Sequence, residues 1–104
     1  MNEADRKAAF PVLQAYNAVE ATKRRHFTYF QAMEMRRNKF NIQPSETENQ
    51  MLAQLLRDHD DQIKEFKVAS DELRNTNPKA FDALWIYINE INSTLDPLEN
   101  KNIH

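Results

Sequence analysis

Phe30–Leu56 reads FQAMEMRRNKFNIQPSETENQMLAQLL, and the reading of this stretch decides the fold. An aromatic- and methionine-rich helical pattern runs into Asn41-Ile42-Gln43-Pro44-Ser45, and a second apolar helical pattern runs out of it. Ser45-Glu46-Thr47-Glu48 has the form of a capping box, with Ser at the cap and Glu three residues on. The stretch therefore predicts two long helices joined by a short turn, a helical hairpin with apolar residues on both arms.

Working outward, the first arm extends back to Pro11. Proline removes a backbone donor and clashes with the preceding turn, so an interruption near Phe10 is expected. This divides the beginning of the chain into a short kinked extension over residues 1–10, capped by Asn2, and a main helix over residues 11–39. The second arm runs over residues 45–74. Asn77-Pro78, with Asn as cap and Pro at the first helical position, opens a third helix over residues 78–95. Asp96-Pro97 closes it, and residues 97–104 are expected to fray. The prediction is an all-α single domain over 1–104, an antiparallel three-helix bundle built from a long hairpin and a shorter third helix.

Spacing predicts which faces pack. The second helix carries Leu52, Leu56, His59, Ile63, Phe66, Ser70 and Leu73 at alternating steps of four and three. The third carries Phe81, Leu84, Ile88, Ile91 and Leu95. Such spacing is the seam of a left-handed bundle. On the first helix the predicted seam is Tyr16, Val19, Lys23, Phe27, Phe30, Glu34 and Arg37, which is less purely apolar. Trp85, Tyr87 and Tyr16 are expected in or beside the core.

The lengths do not match. Each arm of the hairpin spans about 29 residues, roughly 43 Å, whereas the third helix spans about 18 residues, roughly 27 Å. The tip is then two helices thick and exposes Phe30, Met33, Phe40, Ile42, Met51, Leu52 and Leu55. Monomers rarely leave such a patch bare. Three covers are consistent with it: a second copy of the chain in a two-fold dimer, a helix of another protein laid in the groove, or the chain's own first ten residues.

Composition narrows the function classes. The chain has no cysteine, which excludes disulfides and thiolate metal sites. It has no glycine, which excludes phosphate-cradling loops and the dinucleotide fingerprint. No run approaches the roughly 18 apolar residues of a membrane span. The start, MNEADRKAAF, lacks the apolar segment of a signal peptide, so a cytoplasmic protein with no membrane association is expected. Asn92-Ser93-Thr94 matches a glycosylation acceptor but falls on a predicted helix.

Charge is unevenly placed. Residues 23–39 hold six basic residues against Glu34, a net +5, whereas residues 45–72 hold eight acids and three bases, a net −5. The simplest expectation is that the arms match each other across the hairpin, with Arg37 near Glu48. The alternative is a basic ridge of Arg25, Tyr29, Arg36 and Lys39 on the face opposite the seam, suited to phosphates and base stacking or to an acidic protein. Four residues are a small footprint, and the acidic second helix repels a nucleic-acid backbone.

Histidine offers the remaining chemistry. His59 is a seam residue predicted nearly opposite His26, with Glu90 at about the same level, and two imidazoles and a carboxylate can hold zinc. A seam histidine more often serves as a hydrogen-bonded core residue, and the Glu-x-x-His pairs of di-iron bundles are missing. No serine or threonine stands with a histidine and an acid at catalytic spacing. The sequence therefore predicts a non-catalytic interaction or regulatory protein without a cofactor, self-associating and binding a protein partner. Nucleic-acid binding by the ridge and metal binding by His26 and His59 are the alternatives. Small glycine-free helical chains of this kind are frequent among phage and mobile-element proteins, a likeness of type that no residue string carries to a family.

Overall fold

The computed structural model describes residues 1–95, with side chains through Ser93. Three helices account for almost all of this segment: α1 (Glu3–Phe40), α2 (Glu46–Thr76) and α3 (Pro78–Leu95). There is no strand among the described residues, and the chain is an all-α three-helix bundle. The closing of α3 at Asp96-Pro97 and the state of residues 97–104 lie outside the described residues.

All three helix starts predicted from side-chain caps are present. Asp5 N–H donates to Asn2 Oδ1 at 2.7 Å. At Ser45 the box is reciprocal: Glu48 N–H donates to Ser45 Oγ at 3.1 Å and Ser45 N–H donates to Glu48 Oε1 at 3.0 Å. Ala80 N–H donates to Asn77 Oδ1 at 3.1 Å, beside Pro78, whose missing donor costs nothing at the first helical position. Asn77 also closes α2 through its own N–H to the Leu73 carbonyl at 2.7 Å, so one residue ends one helix and caps the next.

The expected interruption at Phe10 does not occur. α1 is one helix from Glu3 through Pro11 to Phe40, so residues 1–10 are its first turns and not a separate extension. Proline inside a helix is about 3 kcal/mol less favourable than alanine. Here Ala9 and Val12, on either side of it, are buried, and their packing offsets that cost.

Packing divides into two compact units. The first joins residues 1–13 to the segment from Ala69 onward. Ala9, Val12, Leu73, Ala80, Leu84 and Ile88 form its core. Ala80, Leu84 and Ile88 follow one another at steps of four along α3; Leu84 and Ile88 belong to the predicted stripe, while Phe81 and Ile91 are half-buried and Ala80 takes the first buried place. Phe81 and Trp85 meet edge-on with centroids 6.1 Å apart. Each fully buried Leu, Ile or Val contributes roughly 1.5–3 kcal/mol. The first turns of α1 therefore have their partners within this unit. Ser70 Oγ is buried here without a hydrogen-bond partner.

The second unit, residues 14–68, is a helical hairpin. Tyr16 meets Phe66, Thr22 meets His59 and Arg36 meets Glu48, so the arms run antiparallel. At the turn, Asn41 takes a left-handed conformation with φ 53°, the role glycine usually fills. Its N–H donates to the Arg37 carbonyl at 3.1 Å and closes α1. Asparagine tolerates that conformation better than other residues with a Cβ, which lets a glycine-free chain make the turn.

The side chains α1 turns towards α2 differ from the predicted seam. Thr22 and Met33 are buried, and His26, Tyr29 and Arg36 are half-buried. The predicted Lys23, Phe27, Phe30 and Arg37 are exposed. The two sets differ by one residue from position 22 onward, because the step after Val19 is three and not four. One residue is 100° of helix rotation. On α2 two positions shift by one residue in the same way: Leu55 and Gln62 are half-buried where Leu56 and Ile63 are exposed. The actual seam of the hairpin holds several polar groups, of which Thr22 and His59, and Arg36 and Glu48, are partnered across it.

Candidate interaction surface of the helical hairpin

Two polar contacts fix the rotation of α1. In the middle of the hairpin Thr22 Oγ1 lies 2.9 Å from His59 Nδ1, and the Thr22 hydroxyl also reaches the Ala18 and Val19 carbonyls at 3.1 and 3.0 Å. When the hydroxyl proton goes to its own backbone, His59 Nδ1 is the donor and Thr22 Oγ1 the acceptor. Near the turn Arg36 donates to Glu48, whose other oxygen takes the Ser45 amide. The Ser45 amide and the Arg36 guanidinium together hold the Glu48 carboxyl below its ordinary value. Glu48 thus ties the end of α1 to the start of α2. Arg37, expected opposite Glu48, pairs instead with Glu34 on its own helix at 2.6 Å. The one-residue shift accounts for this directly.

The predicted tip residues separate. Met33 is buried at 5% exposure and belongs to the hairpin's interior. Leu52 and Leu55 are half-buried. Phe30, Phe40, Ile42 and Met51 are exposed. The basic ridge does not form one open face. Arg25 and Lys39 are exposed, but Tyr29 is half-buried and Arg36 is held by Glu48. Neither histidine enters a metal constellation: no group of three potential ligands lies together among the described residues. His59 is bound to Thr22, and His26 stacks on Phe30 with the rings 6.5 Å apart and 7° from parallel.

A broad face of the hairpin gathers large apolar side chains that the tip set omits. Phe27 is 56% exposed, Leu56 46% and Ile63 43%, with Phe30 at 42%. At 100° per residue, Lys23, Phe27, Phe30 and Glu34 share one flank of α1, and Leu52, Leu56, Asp60 and Ile63 share one flank of α2. In an antiparallel pair the two helices turn in opposite senses when viewed down one axis, which brings these flanks to the same side of the hairpin. The register set by Thr22–His59 and Arg36–Glu48 places Phe27 about level with Leu56. A shallow groove on the outer side of α1 is lined by Phe27, Thr28, Phe30, Gln31, Ala32, Glu34 and Met35. On the opposite side of α1, Ala21, Arg25, Thr28, Tyr29 and Ala32 line a second shallow groove. The signal for the apolar face was in the sequence all along, as the threes and fours of Phe27, Phe30, Leu56 and Ile63. It marks a face turned outward.

The arms leave much of their charge unmatched. Among the described residues of the hairpin, Arg36–Glu48 is the ion pair that joins the two helices, while Lys23 pairs with Glu20 and Arg37 with Glu34 along α1. Comparison with known proteins gave no match: no family model fits the chain, and no curated protein or solved structure is significantly similar to it. No described helix is long and apolar enough to cross a membrane.

Proposed function

We propose that this chain is a small non-catalytic interaction protein that self-associates through the apolar broad face of its hairpin and engages a protein partner. The observation that carries the reading is an inversion. The hairpin turns Thr22, His26, Gln62 and Glu48 inward or half-inward and leaves Phe27, Phe30, Leu56 and Ile63 substantially exposed. Each phenylalanine exposes about 100 Å² on the usual scale of an aromatic side chain. Together with Leu56 and Ile63 this reaches the size at which an apolar patch marks an interaction site. The half-buried Tyr29 and the engaged Arg36 remove support from a nucleic-acid ridge.

Light scattering over a hundredfold concentration range tests the reading. The expected mass is about twice the 12.3 kDa of the chain. Phe27→Glu together with Leu56→Glu is expected to return it to the monomer with helical content unchanged, because both side chains lie outside the hairpin seam. A parent protein that stays monomeric throughout, or a variant of unchanged mass, refutes self-association through this face.

A further inference from the structure

Resting on that reading, we infer that the occupant of the apolar face is a second copy of the chain, related by a two-fold axis parallel to the hairpin, so that each α1 lies over the partner's α2. The argument comes from charge. A hairpin with one basic and one acidic arm can meet a copy of itself face to face in two ways. An axis across the helices puts α1 over α1 and α2 over α2, laying arms of like net charge on each other. An axis along the helices puts α1 over α2 and matches the two signs. Like charges held opposite each other across an interface cost several kcal/mol, and opposite charges steer the encounter.

Side-chain positions agree with the second arrangement. Rotation about an axis along the hairpin preserves level, so residues of α1 face the partner's residues at the height of their own α2 neighbours. Phe27 then meets Leu56 of the partner subunit, and Phe30 falls beside its Ala53, a small residue that admits the ring. Lys23 stands at the height of the partner's Asp60, and both are exposed. Asp60 has no ion-pair or hydrogen-bond partner among the described residues of its own chain, whereas Lys23 pairs with Glu20, so the partner's Lys23 gives Asp60 a counter-charge that its own chain does not supply. The product is a local four-helix bundle in which every helix has antiparallel neighbours of opposite charge. Its centre is made of the apolar residues that the isolated hairpin leaves outside.

The absence of cysteine makes the arrangement directly testable. Full-length Lys23→Cys and Asp60→Cys chains are prepared separately, mixed, exchanged and oxidised gently, with the mass measured before oxidation. The expected result is a dimer mass, a covalent dimer containing one chain of each kind, and little covalent product from either variant alone. Disulfide formation needs Cα atoms within about 7 Å, which the α1-over-α2 arrangement provides and α1-over-α1 does not. A dimer mass with covalent product in the Lys23→Cys sample alone, or with none in the mixture, overturns the arrangement and spares self-association. A monomer mass at every concentration overturns both.

Discussion

Replacing Thr22 by Val tests whether the polar seam of the hairpin is a directed interaction. Valine keeps nearly the same shape, so the 6% exposed site loses little packing. What disappears is the acceptor 2.9 Å from His59 Nδ1. The hydroxyl's bonds to Ala18 and Val19 are local to the same turn, so the main cost is an unpaired, half-buried imidazole nitrogen. Leaving such a group unsatisfied costs about 1–3 kcal/mol, whereas replacing both partners by apolar groups of similar size is close to neutral. Thr22→Val is therefore expected to destabilise by about 1–2 kcal/mol, and Thr22→Val with His59→Leu to recover most of the loss. The assay is urea unfolding followed by far-ultraviolet circular dichroism, at one protein concentration because association shifts apparent stability. A full double-mutant cycle is expected to give a coupling of at least about 1 kcal/mol. A single variant within about 0.5 kcal/mol of the parent, or strictly additive effects, refutes the assignment.

Three further outcomes follow from the same structure. Ser70→Ala removes a buried hydroxyl without a partner and is expected to stabilise by about 1 kcal/mol, read as a rise in melting temperature of about 4–8 °C. Pro11→Ala restores a donor in the interior of α1, with a gain of up to about 3 kcal/mol; an unchanged melting temperature shows that the helix already accommodates the ring. The Glu48 carboxyl is lowered in the folded state, so its contribution is present above the unfolded value of 4.5 and is lost as pH falls through the lower folded value. Glu48→Gln is expected to flatten the acid side of the stability–pH curve and leave its neutral side parallel to the parent's; identical acid slopes refute the role given to the Ser45 amide and Arg36.

How much of this was legible in the sequence depended on where the signal was local. Asn2, Ser45 and Asn77 announced their helices because a cap acts within three residues. The α3 stripe was readable because Leu84 and Ile88 are apolar and buried. Pro11 misled because its backbone penalty is a local quantity, while the burial of Ala9 and Val12 that offsets it comes from segments distant in sequence. The phase of α1 misled for a related reason. Apolar periodicity finds the face that water disfavours, and on α1 that face holds Phe27 and Phe30, outside the hairpin. The inner face depends on Thr22 finding His59 and Arg36 finding Glu48, pairings of residues that are separately unremarkable. The tip set contained exposed residues such as Phe40 and Met51, but the larger face around Leu56 and Ile63 had been assigned to the interior.

The two stripes on α1 stand one residue apart, so a rotation of about 100° about the helix axis would exchange them. It would tuck Phe27 and Phe30 against α2, but would turn the charged Lys23, Glu34 and Arg37 inward with them and Met33 out. Directional bonds at Thr22 and Glu48 go with the observed rotation and would be lost in the other. Their contribution lies less in how tightly the arms hold than in which face of α1 turns inward, a use of polar contacts known from registry in helical assemblies. A variant with an entirely apolar seam would keep its helices and lose its single answer: one set of sharp amide resonances would become two, and the surface offered to another chain would change with them.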